Sequence, residues 1–444
     1  MKNLFKTDPA IAKAIKAEEK RQVDELEMIP SENYVSGAVR EATGSVLMNK
    51  YSEGYAGRRY YQGNKWADAV ERLAVERAKK LFGVPYVNVQ PYSGSPANSA
   101  VYFGLLKPGD KIMGLALAHG GHLTHGHPDI TFSGKYFKTI QYEVGKDGKL
   151  DYGAIEKMAV KEKPNLIVVG TTAYPRILDF KKFSQIAGKV KAYLLADISH
   201  IAGLVVGGVH PSPVPYVDVV MTTTHKTLRG PRGAMLMVTK KGLLKDPTLA
   251  EKIDRAVFPG LQGGPHDNVT AGIAVALREA QGKPFKLYAR QVVKNAKVLE
   301  VELKRYGFDL VSGGTDNHLI LVDLRNKRLS GWVVAWALEY AGIILNRNSV
   351  PWDTASPFYP SGIRLGTPAL TSRGMKEKEM KQVAKWIADV VEHVRGDQLP
   401  DEKEARGVFT KKFLGKIKTD KYLAKIRREV KQMAVKFPVP GITV

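Results

Sequence analysis

The sequence predicts an α/β chain: a mostly parallel sheet covered by helices on both faces, followed by a smaller C-terminal α/β block. Three observations point there. Short apolar runs recur from residue 86 onward: YVNVQP, KIMGLAL, NLIVVG, AYLLAD, DVVMTT and AMLMVT. Helix-like stretches such as SPANSAVYFGLL and DYGAIEKMAVKE stand between them. Runs that are apolar throughout read as strands buried on both faces, and strand–helix alternation makes neighbouring strands parallel. Finally, 444 residues with 44% hydrophobic content allow a large core and about two to three domains.

Taken in order, residues 1–30 read as a helix entered at Asp8-Pro9, where Asp can cap and Pro suits the first turn. Residues 31–66 are rich in Gly and Tyr and read as irregular, and 67–82 as a helix. The strand–helix alternation follows, and a helical stretch from about 267 to 306 leads out of it. The second block comprises DLVSGG, HLILVDL, a helix near 330–341, IILNRN, GIRLGTPAL and a helix at 376–395. The Pro- and charge-rich 393–404 reads as a surface loop before a basic terminal helix, and no internal repeat is present. The expected division is an N-terminal arm (1–45), a large domain (46–285) and a C-terminal domain (286–444).

Composition excludes some functions. With no cysteine there is neither a disulfide nor a thiolate metal site, and no metal-ligand set is read elsewhere. No apolar run approaches the roughly 18 residues of a membrane span. The N-terminal segment lacks the apolar core of a secretory signal and the composition of a transit peptide, so a soluble cytoplasmic protein is expected. Lys+Arg 68 against Asp+Glu 44 leaves a net charge of +24, densest in the tail at 411–431. A nucleic-acid binder can look like this, but no nucleic-acid motif accompanies the charge, and a lysine-rich solvated surface explains it as well.

In open α/β sheets, ligands sit at the carboxyl ends of the strands. YVNVQP leads to Ser93-Gly94-Ser95 and a helix, which is either an anion cradle or an ordinary cap. AYLLAD ends in Asp197, a carboxylate that needs a partner if it is more than a helix cap. VVMTTT ends in His225-Lys226, where the lysine is either a snorkelling surface group or a desolvated, nucleophilic amine. Together they form a set. A phosphate turn, a strand-end acid and a lysine 29 residues after that acid are what pyridoxal phosphate requires. The lysine forms the Schiff base, the acid keeps the pyridine nitrogen protonated, and the turn holds the phosphate.

Ten stretches follow one another between about Leu4 and Pro440: IPSENYVS, NKYSEGYAGRRYYQG, SGSPAN, LAHGGHLTHG, DISHIAGL, TTTHKTLRGPRG, FPGLQGGP, SGGTDNHL, NSVPWD and SGIRLGTPALTSRG. With these motifs in this order, the chain resembles the serine hydroxymethyltransferase family over nearly its whole length. The resemblance implies the pyridoxal-phosphate-dependent transferase fold of type I, the aspartate aminotransferase-like fold, with 46–285 as the cofactor domain. It implies reversible transfer of the serine hydroxymethyl carbon to tetrahydrofolate or a related tetrahydropterin, leaving glycine, within one-carbon metabolism and glycine biosynthesis.

It also implies roles. Lys226 would carry the cofactor, Asp197 pair with its pyridine nitrogen and His122 stack on its ring, with Thr223 and His225 completing the catalytic group beside Glu53. Ser93, Gly94, Ser95 and Asn98 would cradle the cofactor, joined by Gly264 of a second subunit, while Thr172 and His200 would meet its phenolic oxygen. Arg364 would clamp the amino-acid carboxylate, where a guanidinium fork fits two oxygens, with Ser31 and Tyr61 nearby and Arg232 supporting the lysine. Tyr51 and Glu53 would enter from the partner subunit of a homodimer or tetramer, and Glu53 would handle a proton at the substrate hydroxyl or the pterin. Tyr60, Leu117, Gly121, Leu123, Asn348 and the Ser356-Pro357-Phe358 turn would line the pterin site.

Some residues depart from the family pattern or stand out at the expected pterin mouth. Thr172 stands where many members carry serine, and GGPHDN (263–268) is more polar than in bacterial relatives. Arg347 would suit an anionic pterin tail. Two other readings stay open: a pterin-free aldolase acting on β-hydroxy amino acids, against which LAHGGHLTHG and NSVPWD argue, and RNA binding alongside catalysis.

Overall fold

A computed structural model describes residues 2–128 and 130–442. The chain divides into two units, each discontinuous in sequence: Val35–Val293 with Val311–His318, and Met1–Tyr34 with Lys294–Leu310 and Leu319–Val444. The expected boundaries at 45 and 285 cut the chain into continuous pieces and do not follow this division.

The first unit is built on a seven-stranded sheet. Its spatial order is Tyr86–Asn88, Ala234–Val238, Val219–Thr223, Tyr193–Asp197, Leu166–Gly170, Lys111–Leu115 and Lys138–Tyr142. The last five run parallel, and Ala234–Val238 is antiparallel to both of its neighbours. The interior strand Leu166–Gly170 is buried along its whole length. Ile167 and Val169 enter one apolar cluster, while Leu166 and Val168 enter another, as the two-residue period of a strand demands when both faces are covered. The helix Gly94–Leu105 contributes Ala97 and Val101 to the second cluster, and Tyr152–Glu162 and Phe180–Lys189 contribute Ile155 and Phe183 to the first. Asp151 and Asp179 cap the latter two helices by accepting backbone N–H bonds in their first turns. The sequence reading did not mark the edge strand Lys138–Tyr142, which is only partly buried.

The second unit holds a four-stranded antiparallel sheet in the order Asp309–Leu310, Leu319–Asp323, Gly362–Gly366 and Asn346–Asn348. Gly331–Tyr340, Glu377–His393, Lys403–Lys418 and Lys421–Ala434 supply buried side chains to its core. The N-terminal helix ends at Asp24 rather than near residue 30, because Glu25 turns extended and the chain pairs Leu26–Glu27 with Ile343–Ile344. Arg373 holds this region by donating to the carbonyls of Gln22, Val23, Glu25, Ala434 and Phe437. The basic tail is two helices, because Asp420 caps a new one through the N–H groups of Tyr422 and Leu423. The stretch 267–306 also divides, at Gln281–Gly282, into Asp267–Ala280 and Lys283–Arg305. Among the described residues no helix is long and apolar enough to cross a membrane.

Candidate active site

The site of the first unit is organised around Asp197, the last residue of its strand, in register with Gly170 on one side and Met221 on the other. Its carboxylate is buried and fully engaged. Oδ1 accepts from the Ser199 N–H (3.1 Å) and hydroxyl (2.6 Å), and Oδ2 from His125 Nε2 (2.9 Å) and Asn98 Nδ2 (3.0 Å). Burial alone would push its pKa up. The His125 hydrogen bond, with the nearby charge of Lys226, holds it well below the usual carboxylate range, so it is an anion at neutral pH.

Two links extend this centre. Asn98 Nδ2 also reaches Thr124 Oγ1 (2.8 Å), which meets Nδ1 of His122 at 2.8 Å. Burial, with the charges of His125 and Lys226, lowers His122 to about 4 against the partial opposition of Asp197, so its ring is neutral and suited to stacking on another aromatic ring. Ser199 Oγ accepts from the Thr223 N–H (3.1 Å), joining the strand that carries Asp197 to the one that leads to Lys226.

Lys226 lies in the turn after Val219–Thr223. Its charge acts on Asp197, His122 and His225 alike, which places it among them. Burial first, then the charges of Lys226 and Arg232, lowers His225 to about 3, although the Arg232 side of the turn is itself exposed. The turn is fixed by backbone bonds from Arg229 to Lys226 (3.1 Å) and from Gly230 to Thr224 (2.7 Å). Thr227 Oγ1 donates to the His200 carbonyl at 2.9 Å. Ser93 stands at the N-cap position of the helix Gly94–Leu105 without a capping bond from its side chain, and Ser95 lies in the first turn. Gly94 is packed so closely on the Thr223 methyl that a Cβ there would come within 2.7 Å. The Ser-Gly-Ser turn and the Lys226 strand therefore meet at one end of the sheet.

Thr172 gives its hydroxyl hydrogen to the Gly121 carbonyl (2.7 Å). Gly121 has no room for a side chain: a Cβ would fall 1.9 Å from the Leu115 carbonyl oxygen. Leu117 and Leu123 flank it and are exposed.

A second group lies in the same unit. The Tyr51 hydroxyl stands 3.3 Å from Glu53 Oε1, whose charge raises the tyrosine's pKa. Tyr61 meets Tyr51 edge to face at 5.1 Å between ring centroids. Gly263 and Gly264 pack against Glu53 and Tyr51, and Tyr92 donates to the Gly264 carbonyl (2.7 Å). Tyr51, Tyr60 and Tyr61 are all exposed. In the loop beneath them, Arg59 ties the Ser52 and Gly54 carbonyls to the carboxylates of Asp68 and Glu71.

The remaining expected site residues belong to the second unit. Arg364, on Gly362–Gly366, donates through Nε to Asn346 Oδ1 at 3.0 Å. Burial lowers its pKa to about 10, which leaves it a cation. The Arg347 guanidinium sits 4.5 Å over the Phe358 ring, beside Ser356 and Pro357. Asn348 donates to the Ser349 carbonyl (2.8 Å), and Ser31 lies in a turn after Leu26–Glu27.

The sequence reading missed His125 and Asn346. The motif LAHGGHLTHG offers three histidines, and nothing in the string says which of them reaches Asp197. Asn346 emerges only from its register opposite Arg364.

The pocket is suited to a polar aromatic cofactor. Buried Asn98 Oδ1, Thr223 Oγ1, His125 Nδ1 and His225 Nδ1 have no hydrogen-bond partner among the described residues, although a buried polar atom ordinarily requires one. A parallel sheet with a buried anionic aspartate, a lysine after the adjacent strand and a Ser-Gly-Ser helix start define a pyridoxal-phosphate-dependent enzyme of fold type I. The family profile described as "Serine hydroxymethyltransferase" matches residues 4–387. The serine hydroxymethyltransferase of Acidothermus cellulolyticus is 55% identical over 441 residues, covering 99% of this chain and 97% of the relative. That of Desulfotalea psychrophila is 52% identical over 442 residues (100% and 97%), and that of Methanosarcina barkeri 55% over 403 residues (90% and 96%). The chain belongs to the serine hydroxymethyltransferase family, whose members use pyridoxal phosphate to move the hydroxymethyl carbon of serine reversibly to tetrahydrofolate, leaving glycine.

Proposed function

We propose that Lys226 is the residue that bonds the cofactor aldehyde and that the groups gathered around Asp197 run the transfer. The observation that carries this reading is the buried Asp197 carboxylate, hydrogen-bonded by His125 and Asn98 one strand away from the Lys226 turn. Asp197 would hold the proton on the pyridine nitrogen, His122 would stack on the ring, Ser93, Gly94 and Ser95 would hold the phosphate, and Thr172 and His200 would meet the phenolic oxygen. When bound, the cofactor supplies a sink for the electron pair left on the substrate α-carbon as its bond to the hydroxymethyl carbon breaks.

Every other part is played by the chain. Arg364 fixes the serine carboxylate and so selects the bond to be broken by orientation, aided by Ser31 and Tyr61. Glu53 takes and returns the proton at the substrate hydroxyl or the pterin nitrogens. Tyr60, Leu117, Gly121, Leu123, Asn348 and the Ser356–Phe358 turn receive the reduced pterin, and Arg347 meets its anionic tail. Tyr51, Glu53 and Gly264 form one cluster in which Tyr51 is exposed and the other two are half-buried, which supports their being offered together to a second copy of the chain. The active unit would then be a homodimer, alone or within a tetramer, acting in the cytoplasm. Thr223, His225 and Arg232 keep the lysine's surroundings in place.

The test is a visible absorption spectrum of the cofactor-loaded protein, first with glycine and then with tetrahydrofolate added. A long-wavelength carbanion band that grows only with both present supports the reading, whereas a spectrum indifferent to tetrahydrofolate removes the pterin part of it.

A further inference from the structure

We propose that His318 is a positioning residue for the cofactor pocket. Its Nε2–H is given to Nδ1 of His200, which fixes the plane and tautomer of the His200 ring and leaves the outer nitrogen, Nε2, as a hydrogen-bond donor. The inference rests on the reading that His200 meets the cofactor's phenolic oxygen.

The geometry is specific. His200 Nδ1 and His318 Nε2 stand 3.3 Å apart, with ring centroids 5.6 Å apart and planes 30° from parallel. Both side chains are buried, His318 completely. Two neutral imidazoles can share such a contact only if one nitrogen gives a proton and the other accepts it. With His318 as the donor, His200 carries its own proton on Nε2, the tautomer that can donate to a phenolate oxygen. The opposite assignment would turn a lone pair toward that oxygen.

The surroundings hold His318 firmly enough to enforce a choice. It ends the segment Val311–His318, which the chain packs into the first unit although both sequence neighbours of the segment belong to the second. This strap is fastened to the loop after Thr172. The Asp316 N–H donates to the Pro175 carbonyl (2.8 Å), and Asn317 Nδ2 to that of Tyr174 (3.2 Å). Arg176 clasps it with bonds to Ser312 Oγ (3.0 Å), the Ser312 carbonyl (2.6 Å) and Asp316 Oδ1 (2.9 Å). The backbone of Ser312 is left-handed, with φ +56°, a conformation that only firm anchoring sustains in a residue with a side chain. On the other side, His200 is tied through its carbonyl to Thr227, the residue after Lys226. His318 thus sets the orientation of a ring whose backbone is shared with the Lys226 turn.

The test uses cofactor-loaded protein labelled with 15N-histidine. The His200 imidazole nitrogens are assigned by their loss in His200→Phe and read in the native protein, in His318→Phe, which keeps a ring but no N–H, and in His318→Gln, whose amide reaches about as far as the imidazole Nε2. The native protein should show His200 with a protonated Nε2 and a bare Nδ1. His318→Phe should lose that single-tautomer pattern, release cofactor about tenfold faster and lower kcat with little change in the serine KM; His318→Gln should restore all three to within about threefold. An unchanged His200 tautomer in His318→Phe overturns the proposal, as does equal damage from Phe and Gln, which would make the residue a packing element. If His318→Phe shows no cooperative melt, His318→Asn, whose amide stops short of Nδ1, replaces it with the same expected outcome. The underlying reading is tested apart from this. If His200→Phe releases cofactor at the native rate, it is the role of His200 that fails, while the tautomer signal still reports the coupling to His318.

Discussion

Nε2 of His125 stands 2.9 Å from Oδ2 of Asp197, and both side chains are buried where the strand Tyr193–Asp197 ends. The contact settles two things at once. It balances a carboxylate that burial would otherwise neutralise, and it orients the anion at the end of the sheet where the Lys226 turn also lies. The nearest feature enforcing the pair is the absence of a side chain at residue 170.

A Cβ on Gly170 would come within 2.7 Å of the Asp197 Cβ and 2.9 Å of the His125 Cε1. Gly170→Ala is expected to force the two apart, costing about 1–3 kcal/mol of stability and weakening cofactor binding. Thermal melts and a spectroscopic cofactor titration check this. Unchanged values in both would mean that the strand relaxes without disturbing the pair.

Arg364→Lys keeps a cation but loses the two-pronged fork. Losing one charge-assisted hydrogen bond, worth about 1.5–3 kcal/mol, should raise the serine KM roughly 10- to 150-fold. Steady-state kinetics would show this as a KM effect, and the same KM as the native enzyme would remove the carboxylate role from Arg364.

Glu53 is only partly buried and packs against Tyr51 and Gly263, so Glu53→Gln should leave folding and cofactor binding intact. Without a proton acceptor, serine turnover with tetrahydrofolate should fall about 10²- to 10⁴-fold. Cofactor-loaded variant that retains native turnover would place the proton transfer elsewhere.

The half-buried histidines His122 and His225 are expected to make the protein acid-labile. His122 is lowered to about 4 and His225 to about 3, both from an ordinary 6.5. Between those values the unfolded chain binds protons that the folded chain refuses, so stability rises with pH across the interval. The contribution is complete above about pH 6.5 and is lost as pH falls toward 4, amounting to about 3 kcal/mol at most for His122. Asp197, held below its ordinary value, adds a loss of the same sign at lower pH still. The melting temperature of cofactor-free protein should therefore fall steadily from pH 6.5 to 4, and His122→Phe should flatten the slope. An identical slope in the variant would contradict the neutral state of His122.

Much of this was legible in the string. The parallel strands showed because burial on both faces requires apolar residues at every position, as in LIVVG and YLLAD. Asp197 and Lys226 showed because polar residues at strand ends break those runs. What stayed hidden depends on register and on contacts distant in sequence. The edge strand Lys138–Tyr142 reads as polar because it is solvated, and His125 is one of three histidines in a single motif. Asn346 meets Arg364 only through strand pairing, and the return of 311–318 to the first unit leaves no mark on composition. The break at Gln281–Gly282 fell inside a stretch whose flanks are both strongly helical.

The measurement closest to the central claim is borohydride reduction of the cofactor-loaded protein, followed by proteolysis and mass analysis of the modified peptide. The account expects a single stable adduct on Lys226, absent in Lys226→Ala, together with loss of turnover in that variant. An adduct on any other lysine, or full turnover by Lys226→Ala, would contradict it.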